Sequence, residues 1–367
     1  MTRKDESVFV AGGTGMVGSA IIRRLVAEGY TSIVSNYHSR RAAPGLPTSV
    51  TFFPLDLTQQ SETEQFFESA RPRHIYLAAA RVGGILANET YPAQFIYDNI
   101  MIATNVINAA YRSGAIKLLN LGSSCIYPKF ALQPMKEEYL LTSVLEPTNE
   151  AYAIAKIAAI KLCRYYNEQY GTNFLSVMPT NLYGPHDNFN LETAHVLPAL
   201  IRKFHLAKLL DAGDLEGLRA DLKQRALGFG LDEMIKLDDD DSIVSALASV
   251  GVTREYVVLW GSGEPYREFL HVDDLASACV TLMEHYDYPE VGEFLNVGAS
   301  DDMRIKELAL LVKNIVGFKG KINHDMTKKD GVPRKLLDSS RLKKLGWSPA
   351  IPITDGIRQA YAWYTSS

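Results

Sequence analysis

Cysteine is scarce in this 367-residue sequence: Cys125, Cys163 and Cys279 are odd in number and widely spaced. That argues against a disulfide framework and for a reducing cytoplasm. No residue set has the spacing of zinc ligands. Long apolar runs are lacking too, so no segment is expected to span a bilayer. The charged start "MTRKDESVFVAGG" leads directly into a strand rather than a signal peptide. There is no excess of positive charge: 38 Lys and Arg face 42 Asp and Glu, a formal net charge of -4, which gives no reason to expect nucleic-acid or membrane partners. Internal repeats and low-complexity linkers are absent. A hydrophobic content of 47% and a charged content of 22% are those of an ordinary globular chain, long enough for two modest domains or one sheet-centred domain with a lobe.

What is present is a rhythm. Short apolar runs at 7–13, 31–37, 50–56, 74–80, 116–124 and 173–179 read as strands. Most are continuous rather than alternating, as strands buried on both faces are, and "MVGSAIIRRLVAEG" (16–29) follows the first as a helix. The fold expected is α/β: a doubly wound parallel sheet over about 1–180, with some later segments returning to it, and a smaller C-terminal α/β lobe over 181–367. Two long helices, 92–113 and about 148–171, carry apolar residues on more than one face, which suggests a homodimer built on paired helices. Segment 209–255 is unusual. It holds two helix-like pieces, 214–228 and 238–251, and a four-aspartate run at 238–241. That run reads as a solvated helix start rather than a metal site, with Asp241 or Ser242 as N-cap.

"GGTGMVGS" (12–19) joins the first strand to the first helix, with Gly12, Gly15 and Gly18 three apart. Glycine there permits a tight turn and close approach of a pyrophosphate to the helix N-terminus. The second strand runs into "SNYHSRR", which has no carboxylate for a ribose 2′-hydroxyl. Arg40 and Arg41 can instead meet a 2′-phosphate, which favours NADP(H) over NAD. Asp56, after the third strand, is placed either to take the adenine amino group or to cap a helix.

"EAYAIAK" (150–156) stacks Tyr152 and Lys156 one turn apart on a helix. A tyrosine of ordinary pKa, about 10, is a poor acid or base at neutral pH. A nearby ammonium is expected to favour the phenolate and bring it toward useful range. Upstream, "LGSSCIYP" (121–128) ends a strand in hydroxyls and a thiol. Taken alone, Cys125 reads as strand-end packing and His195 as a helix-start residue; Cys163 and Cys279 lie on apolar helix faces.

Together these motifs resemble the extended short-chain dehydrogenase/reductase superfamily, with its Rossmann-type sheet and a Ser123, Tyr152, Lys156 triad. Longer stretches narrow the resemblance: "LAAARVGGI" (77–85), "GSSCIYPK" (122–129), "EPTNEAYAIAKIAAIKLC" (146–163), "MPTNLYGPHDNF" (178–189), "HVLPALIRKFH" (195–205), "WGSGEPYREFLHVDDLA" (260–276) and "DGVPRKLLD" (330–338). They are similar to the family of GDP-4-keto-6-deoxy-mannose 3,5-epimerase/4-reductases. The resemblance implies that Tyr152 protonates the substrate oxygen as hydride arrives, that Lys156 holds the nicotinamide ribose, and that Cys125 and His195 exchange the protons of epimerisation. It adds Met16, Val17, Leu121, Ser123, Pro179, Asn181, Leu182 and His195 to the cofactor contacts, and assigns a GDP-sugar to Lys203, Trp260, Arg267 and Lys328. Related activities remain open: C4 reduction, with or without epimerisation, of a heptose or colitose precursor, or NADP binding without turnover. A 4,6-dehydratase would need an acidic pair where this chain has Ser124-Cys125. Two departures stand out. Thr14 replaces a basic residue usual in the glycine loop, and 209–255 is longer than the usual connection, which suggests a helical flap near the sugar nucleotide or the dimer edge.

Overall fold

The computed structural model describes residues 3–38, 47–328 and 330–366. Strands β1 (Val8–Ala11), β2 (Ile33–Tyr37), β3 (Thr51–Pro54), β4 (His74–Leu77), β5 (Lys117–Leu121) and β6 (Phe174–Pro179) form the central sheet with a late strand, β10 (Leu295–Val297). The order is β10-β6-β5-β4-β1-β2-β3, and every pairing is parallel. Strands β1, β4, β5 and β6 are buried along their whole length. Helices must therefore cover both faces.

On one face, α1 (Met16–Ala27) packs against α9 (Val272–His285) in one apolar cluster with β1, β5 and β6. On the other lie α2 (Gln60–Ala70), α4 (Pro92–Arg112) and α5 (Glu150–Tyr170), with the short α3 (Ile85–Thr90) leading into α4. The two long helices lie against each other; Tyr111 and Tyr170 stack at 4.4 Å, and Tyr166 donates to Asn108 at 2.9 Å. Cys163 and Cys279 are packing residues, 1% and 0% exposed. Both β10 and α9 come from beyond residue 180 yet complete the first sheet and its cover.

The second body is built on β9 (Tyr266–His271). It pairs antiparallel with β11 (Asp302–Arg304), and parallel with β13 (Arg334–Lys335) at its start and β7 (Asn181–Tyr183) at its end. A separate parallel pair joins β8 (Tyr256–Trp260) to β12 (Lys321–Asp325). Helix α6 (Val196–Ala212) and the helix at 305–316 enclose its core.

Segment 209–255 belongs to that core. Leu218 and Leu222 of α7 (Leu215–Gln224), then Leu227, and Ile243 and Leu247 of α8 (Asp240–Ser249), are all buried in it. Arg202, fully buried on α6, holds the segment down. Its guanidinium donates to Asp221 at 2.9 and 3.1 Å and to the carbonyls of Phe189, Arg225 and Ala226. The N-cap of α8 is Asp239, whose carboxylate accepts from the Asp241 and Ser242 N–H groups, rather than Asp241 or Ser242 as expected. The helix begins earlier because the Asp239 carboxylate reaches those two N–H groups, and Asp240, its first residue, pairs with Arg219. The aspartate run is thus a capped and paired helix start.

Candidate active site

The crevice where the strand order reverses, between β1 and β4, receives the glycine loop. Gly12, at φ 81°, has no room for a side chain: a Cβ there would lie 2.8 Å from the Ala79 backbone. The loop is pinned to β2, with the Gly12 N–H donating to Asn36 and the Gly13 N–H to Ser35. Gly15 is the N-cap of α1 and offers no side chain to its first turn; an added Cβ would meet only the Gly12 carbonyl, at 3.4 Å. The free N–H groups of that turn and the open face above Gly15 fit a pyrophosphate. Asp56 is partly committed: one oxygen accepts from the Thr58 N–H and hydroxyl at 2.9 and 2.8 Å, and the other faces His38 at 3.6 Å. It closes a turn, since the N-cap of α2 is Gln59. Arg40 and Arg41 lie outside the described residues.

The catalytic stretch begins where β5 ends. A Cβ at Gly122 would collide with the Met178 thioether on β6, so only glycine lets the chain leave the sheet there. Ser123, in extended conformation, then caps a short 3-10 turn, Ser124–Ile126, its hydroxyl accepting the Cys125 N–H at 3.4 Å. Behind this turn, Ala153, Ala155 and Ala159 bring α5 close to the sheet. Lys156 is buried, its ammonium donating to the Leu121 carbonyl at 2.8 Å and lying 5.7 Å from the Tyr152 ring centre. Tyr152 is half-buried, with Phe95 edge-on at 6.2 Å and the Ser123 hydroxyl acting on its phenol. At the head of the lobe, Pro179 ends β6, Asn181 donates to the Glu268 carbonyl at 2.9 Å, and Leu182 packs on the main core.

Electrostatics corrects one expectation. The Tyr152 pKa is raised, not lowered: burial is the largest cause, the Cys125 thiol adds to it, and the Ser123 hydrogen bond only partly opposes. Lys156 itself is depressed to about 8 by burial; its ammonium donates to the Leu121 carbonyl, and burial, Cys125 and Ser123, not Lys156, set the state of the phenol. Desolvation outweighs charge here because protein packs around the phenol, the thiol and the ammonium, although Tyr152 keeps part of its surface open. Cys125, 7% exposed, is likewise raised by burial, with the Ser123 hydrogen bond and the charges of Lys335 and Lys156 pulling the other way.

His195 is the N-cap of α6, its ring open to solvent but with its pKa lowered by the protein mass around it. A chain of close contacts runs from its neighbours toward Tyr152. The Gly84 N–H donates to the Thr193 carbonyl at 3.0 Å; Gly83 has the Phe95 ring over it, and Phe95 abuts Tyr152. Gly83 and Gly84 of "ARVGGI" thus link the loop before His195 to the tyrosine.

In the lobe, Trp260 ends β8 with half its surface exposed, so it is no core residue. Lys203 and Lys328 place their ammonium groups 6.0 and 5.1 Å from its ring. The Lys203 pKa is lowered to about 8 by burial, and its ammonium donates to the Val258 carbonyl at 3.1 Å. Arg267 is held by the Tyr266 and Val332 carbonyls, both at 2.7 Å. Sequence reasoning missed Lys335. It stands in register with Arg267 across β13 and β9, and its pKa is lowered by burial while Cys125 acts to raise it. It lies within the quoted "DGVPRKLLD", but only the pairing of β13 with β9 turns that run toward the thiol.

The model of the NAD-dependent epimerase/dehydratase family matches residues 8–225 and 236–298. "GDP-L-fucose synthase 1" of Arabidopsis thaliana is 48% identical over 364 residues, 99% of this chain and 94% of that protein. The chain belongs to this family, in its GDP-L-fucose synthase branch. "GDP-L-fucose synthase" of Escherichia coli K12 is 45% identical, covering 98% of this chain and 96% of its own. Among solved structures, a GDP-mannoheptose C4 reductase from Campylobacter jejuni with NADP bound superimposes with a TM-score of 0.82 at 35% identity, covering 99% of each chain. The family model passes over residues 226–235, the loop that joins α7 to the approach of α8. No helix among the described residues is long and apolar enough to cross a membrane.

Proposed function

We propose that this chain epimerises C3 and C5 of GDP-4-keto-6-deoxy-mannose and then reduces C4 with NADPH, yielding GDP-L-fucose. The observation that carries the reading is Cys125. A thiol, not an acid pair, occupies the turn beyond Ser123, within the electrostatic reach of Tyr152, Lys156 and Lys335. Simple reduction has no use for it.

Each step asks for a group in a particular resting state. Burial keeps the phenol of Tyr152 protonated until charge builds on O4, so it is a proton donor in reduction. Lys156, oriented by the Leu121 carbonyl, would hold the nicotinamide ribose, and NADPH when bound would supply the hydride to C4. Removing a proton beside a ketone and returning one to the opposite face needs a base and an acid. A neutral His195 and a protonated Cys125 offer one of each, and the charges of Lys335 and Lys156 stabilise a thiolate when the roles exchange. Gly12, Gly15, Met16, Val17 and Gly18 would hold the pyrophosphate, and Arg40 and Arg41 would meet the 2′-phosphate. Lys203, Arg267 and Lys328 offer cations to the GDP diphosphate. Tyr97, Ile154 and Tyr165, exposed on α4 and α5, give a homodimer its interface. Three free, buried thiols suit a reducing cytoplasm.

The test is NMR of the reaction with GDP-4-keto-6-deoxy-mannose and NADPH in deuterated water. Deuterium at C3 and C5 together with NADPH consumption is expected. Reduction without deuterium uptake would replace the reading with that of a C4 reductase, the activity named for the Campylobacter structure.

A further inference from the structure

The loop passed over by the family model carries an unusual residue. Phe229 has φ 58°, the left-handed region that bulky side chains avoid, and lies between Gly228 (φ 91°) and Gly230 (φ 69°). Such a conformation persists only where the surroundings impose it, and here they do. The Phe229 N–H donates to Glu192 at 2.6 Å, and the Leu227 and Gly228 N–H groups donate to the two oxygens of Asp232 at 2.5 and 2.8 Å. Below, the Arg202 guanidinium grips the Arg225 and Ala226 carbonyls.

All this bracing does not bury the ring. Phe229 is 36% exposed and meets Trp260, 50% exposed, at 6.4 Å and 64°. A phenyl ring contributes to folding by leaving water. A strained backbone that holds one at the surface, against another exposed aromatic with two lysines beside it, points to a ligand with a flat ring and negative charge. We propose that Phe229 and Trp260 together form the wall on which the purine base of the nucleotide sugar packs, with Lys203 and Lys328 toward its diphosphate. This rests on the reading that the substrate is a GDP-sugar and adds to it a base-binding residue supplied by the inserted segment.

The test is calorimetric titration of the full chain with GDP and, separately, with inorganic pyrophosphate. Phe229→Ala is expected to weaken GDP by about 10-fold, the scale of a lost base–aromatic contact. Pyrophosphate affinity should move less than about 2-fold, and Phe229→Tyr should restore GDP binding. In turnover the loss should appear in KM rather than kcat, with NADPH binding and thermal unfolding as for the parent. If Phe229→Ala binds GDP as the parent does while Trp260→Ala does not, the loop is no part of the subsite and the inference fails alone. Equal loss for GDP and pyrophosphate overturns it too, because the loop then acts on the diphosphate. A parent chain that binds no GDP overturns the GDP-sugar reading itself.

Discussion

The two halves of the site differ in how they are made. Around Ser123, Cys125, Tyr152 and Lys156, the groups come from one strand end and one helix and are buried or half-buried, and burial moves the pKa values of the last three. Around Trp260, they come from α6, β8, the turn after β12 and the 226–235 loop; the rings stay exposed, and Lys328 is exposed beside them. Around the first set, burial fixes the resting protonation of Tyr152, Cys125 and Lys156. Recognition needs a surface that gives up water only when the ligand arrives. The catalytic groups thus come from two adjoining elements of the main sheet and its cover, while the recognition wall is assembled from four separate pieces of the lobe.

The sharpest break between the halves is Tyr152→Phe. Loss of the proton donor should cut C4 reduction by about 10²–10⁴-fold. Deuterium exchange at C3 and C5 should survive, as measured by NMR with NADPH omitted. Cys125→Ser should do the opposite, slowing exchange by about 10²-fold and leaving reduction of a pre-epimerised substrate the less affected step. Equal losses in both assays from both variants would merge the two functions into one group. Trp260→Ala belongs to the other half; KM should rise by about 10-fold with kcat little changed, measured by initial rates. The smallest effect is a pH limb. Lys156 has its pKa lowered to about 8, so its ammonium is present below that pH and lost above it. For the reductive step kcat/KM, which reports the free enzyme, should fall as pH rises through about 8. A profile flat to pH 9 would detach Lys156 from the reaction.

The inserted segment is part of the lobe rather than an appendage to it. As a sequence, 209–255 reads as a small helical flap near the sugar nucleotide or the dimer edge. As a structure, Leu218, Leu222, Ile243 and Leu247 are part of the lobe core, and Asp221 neutralises the buried Arg202. Deletion would open that core and strand a buried charge, which is strongly destabilising. Phe229 alone separates recognition from folding.

Much was legible without coordinates. Gly12, Gly15 and Gly18, the Tyr152 to Lys156 spacing and the apolar runs each follow from local rules, because a tight turn, a helix period and a strand buried on both faces leave marks within a few residues. Asp239 as the α8 cap escaped because each of the four consecutive aspartates can cap a helix equally well by type, and only the backbone geometry selects one. Lys335 escaped because its relation to Cys125 is made by the pairing of β13 with β9.

By itself, the sequence determined which chemistry is carried: a glycine loop, a hydroxyl–phenol–ammonium set and one thiol beyond it. Tertiary structure decided the state in which those groups rest. Burial overrode the expected effect of Lys156 on Tyr152, since desolvation depends on the protein packed around a group and no local spacing encodes that. It also decided that a phenylalanine from the inserted segment stands beside Trp260, thirty-one residues further along the chain, because a braced turn and a shared core bring them together.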